Sequence, residues 1–122
     1  AVNSLLKTQV GVATDNGLKT SGQAGALIFG PFISVAPGAY NVQFIGSATH
    51  VPVGSAKSDV VIKCGSFMLG ESLITAAENG VLSEFSFTIP EDGCLDLETR
   101  VIVDSSADIH VSTIRIFPKT IR

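Results

Sequence analysis

Pro37-Gly38-Ala39-Tyr40-Asn41-Val42-Gln43-Phe44 is the stretch from which the fold is read. Tyr40, Val42 and Phe44 are aromatic or aliphatic, and the residues between them, Asn41 and Gln43, are amides. Successive side chains of a strand point to opposite faces, so this period of two predicts a half-buried strand with its apolar set on a core. Pro37-Gly38 in front of it suits a type II turn.

The same period recurs along the chain. Val60, Ile62 and Cys64 form one set, Phe85, Phe87 and Ile89 another, and Leu95, Leu97, Val101 and Val103 a third. In the last run Ile109 and Val111 are odd-numbered, whereas Ile114 and Ile116 are even. Either a strand covered on both faces or a β-bulge near Thr113 gives that change of parity. Turn signals separate the runs at Asp15-Asn16-Gly17, Glu78-Asn79-Gly80 and Glu91-Asp92-Gly93, and Asp104 to Asp108 is a polar connector. Residues 67–79 are the best helical candidate, but Gly70, Ile74 and Thr75 argue against a helix. Short strands with regular turns predict an all-β sandwich or barrel, as one domain over residues 1–122.

Composition narrows the function. The chain has 122 residues, 45% hydrophobic and 16% charged, which excludes an intrinsically disordered chain. A net charge of −3 is opposite in sign to that of a nucleic-acid binder. No apolar run approaches a membrane span. Cys64 and Cys94 match neither a zinc ribbon nor a redox motif; one disulfide between them is arithmetically possible but not required, and they read as two buried small hydrophobes.

Catalytic constellations are thin. Only His50 and His110 could serve a serine nucleophile, and there is no Gly-x-Ser-x-Gly elbow. Asp96 and Glu98 stand side by side on one strand face, whereas glycosidase acids flank a bond across a cleft. No cofactor is expected. Calcium between Asp104 and Asp108 is the weaker alternative, because Asp in such a loop usually makes the turn.

Binding is the better class. Asn41 with Gln43, and Glu98 with Arg100, stand on outward faces, and Lys63 and His110 join them where their strands are neighbours. Amide and charged side chains that donate and accept suit sugar hydroxyls. The candidate surface is therefore Asn41, Gln43, Lys63, Glu98 and Arg100, with Arg100 as the central donor.

One stretch is more specific. Gly25-Ala-Leu-Ile-Phe-Gly-Pro-Phe32 leads through Val35-Ala-Pro-Gly-Ala-Tyr40 to Asn41-Val-Gln-Phe-Ile-Gly46, and Glu98-Thr-Arg-Val-Ile-Val103 follows late in the chain. The pattern resembles jelly-roll, carbohydrate-binding-module-like domains, which are attached to bacterial glycosyltransferases and other surface-polysaccharide proteins. That resemblance implies a jelly-roll sandwich and a lectin-like module that recognises a glycan. On this reading Gly30-Pro31 breaks one strand and starts the next at an angle, leaving Phe29 and Phe32 partly exposed. Many such modules stack a sugar on Trp or Tyr. This chain has no Trp, and its single Tyr40 reads as core, so a glycan site would depend on hydrogen bonds. The alternative is a structural or oligomerising sandwich, as in a capsid or tail protein, packed on a second copy or on a neighbouring domain. Val61 and Ile102, apolar on otherwise polar faces, speak for that alternative.

Overall fold

The computed structural model describes residues 8–62, 67–91 and 93–119. Among them are nine strands and no helix. They are β1 (Gly11–Thr14), β2 (Gly17–Thr20), β3 (Gly25–Val35), β4 (Gly38–His50), β5 (Ala56–Ile62), β6 (Phe67–Leu73), β7 (Val81–Ile89), β8 (Cys94–Val103) and β9 (Asp108–Pro118). One sheet has the order β1-β2-β9-β4-β7 and the other β3-β8-β5-β6.

The pairing is nested. β5 pairs with β6, β4 with β7, β3 with β8 and β2 with β9, all antiparallel. A long hairpin rolled up across two sheets gives this order, which makes the sandwich a jelly roll. Residues 67–79 are not helical: they hold β6 and the connection that crosses to β7 in the other sheet.

The core lies between the sheets. Val42, Phe44, Phe87, Ile109 and Val111 meet Leu27, Val60, Leu97 and Val101, all buried. Tyr40 stacks on Phe87 at 5.8 Å and donates its hydroxyl to the Ala36 carbonyl at 2.9 Å. It thereby braces the connection that carries the chain from β3 in one sheet to β4 in the other.

Two expectations are refined by the register. The parity change in β9 is a bulge: Gly46 faces Val111 and Ile45 faces Thr113, so Ser112 is the extra residue. Ser112 Oγ donates to the Ile45 carbonyl at 3.1 Å. The bulge swaps faces, so that Ile114 and Ile116 pack inward where Ile109 and Val111 did before it. Gly30-Pro31, by contrast, does not break a strand. β3 runs through both residues, with Pro31 opposite Glu98, because an edge strand has one side of its backbone free of the ladder and tolerates a missing N–H. Register shifts on either side of Pro31 take up the irregularity.

Candidate functional site

The four described residues of the expected surface fall into two pairs on different sheets. Asn41 and Gln43 are on β4, in the five-stranded sheet, and Glu98 and Arg100 are on β8, in the four-stranded sheet. Each pair points away from the core, so the two pairs lie on opposite outer faces of the sandwich. Lys63 and Cys64 lie outside the described residues, as do the side chains of Phe32 and Cys94. Phe29 is half-buried.

On the four-stranded sheet the register sets Arg100 of β8 against Asp59 of β5. Arg100 donates from Nε to Asp59 Oδ1 at 2.8 Å and from Nη2 to Oδ2 at 2.9 Å. The Asp59 side chain is 0% exposed and that of Arg100 27%. This is a two-pronged, charge-assisted grip on a carboxylate removed from water. Arg100, expected as the central ligand donor, thus has its Nε and Nη2 groups engaged by Asp59. The aspartate hydrogen bond, ahead of the opposing effect of burial, raises the Arg100 pKa further above its ordinary value. Glu98 lies on the same face. Burial, reinforced by the negative charges of Asp59 and Asp96 and opposed by Arg100, pushes its carboxyl above the usual carboxylate range. Val61, expected to be exposed, is 0% exposed, and Ile102 is half-buried. Val61 therefore offers no surface to a partner.

The outer face of the five-stranded sheet is different. β4 runs between β7 and β9, so Gln43 faces Glu84 on one side and Arg115 on the other. Arg115 Nη1 donates to Gln43 Oε1 at 3.3 Å, and Gln43 Nε2 donates to Glu84 Oε2 at 3.3 Å. One row along, Asn41 lies between Ser86 and Phe117. Ser86 Oγ donates to Asn41 Oδ1 at 2.6 Å. The Arg115 guanidinium sits 5.5 Å from the centroid of the Phe117 ring, within cation–π range. Glutamate, two amides, a hydroxyl, a guanidinium and one aromatic edge therefore form two adjoining rows. Glu84, Ser86, Arg115 and Phe117 were not among the expected residues. Alternation in β7 places Glu84 and Ser86 outward, and the parity change in β9 places Arg115 and Phe117 outward. The pairing that brings them to Asn41 and Gln43 is not written in any one strand.

The rows continue toward one end of the sandwich. Ser47 faces His110, which also faces Lys19 of β2, and His50 faces Asp108. Thr14 Oγ1 and His110 Nε2 are hydrogen-bonded at 2.8 Å. At that end a cleft of about 480 Å³ is lined by Lys19, Thr20, His50, Ser105 and Asp108, among others. Nearby, Asp104 accepts from the Ser106 hydroxyl at 2.6 Å and from the Ser106 N–H at 2.8 Å. These bonds, the hydroxyl first, hold its carboxyl below the usual range. Asp104 thus closes its own turn, and no group of three or more metal-ligating side chains occurs among the described residues. No helix among them is long and apolar enough to cross a membrane.

Comparison with family models, with curated proteins and with solved structures gave no match.

Proposed function

We propose that this protein is a non-catalytic binding module for a glycan, held on the outer face of the five-stranded sheet and appended to a larger carbohydrate-active protein. The observation that carries this reading is the Glu84–Gln43–Arg115 row, with Asn41, Ser86 and Phe117 beside it. A sugar hydroxyl both donates and accepts, and this face offers both capacities a few ångströms apart. Phe117 adds an apolar surface for the C–H face of a ring. The resemblance of the Gly25–Gly46 stretch to carbohydrate-binding-module-like domains supports the same reading and suggests a bacterial surface polysaccharide as the ligand.

Asn41 and Gln43 keep the role that alternation suggested. Arg115 takes the place of Arg100 as the guanidinium donor, because Arg115 is exposed and Arg100 is held by Asp59. A glycan array, followed by titration of the tightest ligand, tests this. Arg115→Ala should weaken binding about tenfold, the loss of one or two hydrogen bonds to a charged donor, while stability stays within about 0.5 kcal/mol. An array without hits, or unchanged affinity in Arg115→Ala, overturns it.

A second reading, an assembly module, draws on β6. This edge strand exposes Phe67, Met68 and Leu73. Exposed apolar edges invite pairing with another chain. A stable oligomer by light scattering, together with an empty array, would favour it.

A further inference from the structure

The cleft at the end of the sandwich is built from three separate connections. Lys19 and Thr20 come from the end of β2, His50 from the end of β4, and Ser105 and Asp108 from the β8–β9 turn and the start of β9. Thr20 is buried and fixed, its hydroxyl accepting from the Ile109 N–H at 3.1 Å. It anchors the floor, with its hydroxyl also within hydrogen-bond reach of the Ile109 carbonyl at 3.3 Å and of Asp108 Oδ1 at 3.5 Å. Lys19, His50 and Ser105 are exposed, and Asp108 is half-buried. A volume of about 480 Å³ is within the range of small-ligand sites.

The charges decide the ligand class. One ammonium and one carboxylate balance, with an imidazole and hydroxyls between them, so the cleft favours a ligand without net charge that donates and accepts at adjacent atoms. Neighbouring hydroxyls of a sugar ring do this.

The cleft is also continuous with the sheet face. His110 and Asp108 face outward before the Ser112 bulge, and Arg115 and Phe117 face outward after it. From Gln43 to His50, β4 advances seven residues, roughly 20 Å at a strand's rise. A glycan lying along β4 and β9 would reach the cleft with its end.

We propose that this cleft binds the terminal residue of a neutral glycan, with Lys19 donating to, and Asp108 accepting from, adjacent hydroxyls of one ring. The proposal rests on the glycan-binding reading of the sheet face, and it makes the protein a reader of chain ends.

Backbone amide NMR titrations with glucose, galactose and mannose, then with array-selected oligosaccharides, test it. The expected result is that at least one free hexose shifts the signals of Lys19, His50, Ser105 and Asp108, leaving those of Gln43 and Arg115 in place. Oligosaccharides should shift both groups. Lys19→Ala and Asp108→Ala should each weaken hexose binding about tenfold, whereas Lys57→Ala, on the other sheet, leaves it unchanged. Hexose shifts at the cleft with no oligosaccharide effect at Gln43 and Arg115 would support the cleft and remove the sheet-face reading. Oligosaccharide shifts on the sheet face alone would overturn the cleft and leave that reading standing. No shift with any sugar would overturn both.

Discussion

Arg100 holds Asp59 through two parallel hydrogen bonds, at 2.8 and 2.9 Å, and the carboxylate they hold is fully shielded from water. The pair joins the two central strands of the four-stranded sheet, β8 and β5. Removing one partner would leave an uncompensated charge where water cannot reach it. Arg100→Ala should therefore lower stability by about 3 kcal/mol, a fall of roughly 10 °C in melting temperature. A joint Asp59→Leu and Arg100→Met replacement should recover most of that loss, because it buries no lone charge. A melting temperature for Arg100→Ala equal to the parent's would show that the pair is dispensable.

Glu98 should give the stability curve a slope of the less common sign for an acid. Its folded-state pKa lies above the ordinary 4.5, through burial first and then through Asp59 and Asp96. Between the unfolded and folded values the folded protein binds more protons, so stability falls as pH rises through that window. At neutral pH the ionised Glu98 is a net penalty. Glu98→Gln should be more stable than the parent near neutrality, and the difference should shrink as pH falls toward the usual carboxylate range. Urea denaturation of both proteins across the acid-to-neutral range would reveal it, and parallel curves would contradict it.

Two glycines should respond to alanine for different reasons. Gly46 lies against the β9 bulge, and a Cβ there would overlap the His110 carbonyl oxygen. That oxygen is backbone in a central strand and has nowhere to move, so Gly46→Ala should cost about 3 kcal/mol or more. Gly80 has φ +81° and nothing within 4 Å of a Cβ. It follows Asn79 at φ 54°, and the two form the tight turn that joins Glu78 to Val81. Gly80→Ala should cost only about 1 kcal/mol, from the left-handed backbone alone. Denaturation midpoints of the two variants would compare them directly, and equal losses would mean that close approach is not what requires glycine at position 46.

The Tyr40–Phe44 run shows what was legible. Three apolar residues at alternate positions define the buried side of β4, and Val42 and Phe44 are fully buried as their spacing requires. The Asn79-Gly80 turn was equally plain, because few other pairs adopt two positive φ angles. Gly30-Pro31 misled, since a proline that would break an interior strand is harmless on an edge, and edges are assigned only by the finished sheet. Val61 misled in the same way. Its polar neighbours suggested an outer position, and it is outer, but packing over β5 leaves it no exposure.

The sequence by itself determined which side chains turn inward and where the chain reverses, because both depend on residues within a few positions of each other. It also carried the change of face at Ser112, as a break in parity. The tertiary structure decided which outward residues share a surface. In a sandwich, outward has two opposite meanings, and alternation along one strand does not distinguish them. Asn41 and Arg100 look alike in their own strands. The pairing of β4 with β7 and β9 sets the first beside Ser86 and Phe117, and the pairing of β8 with β5 brings the second to Asp59. Those contacts join residues far apart in the chain, so they exist only once the roll has closed.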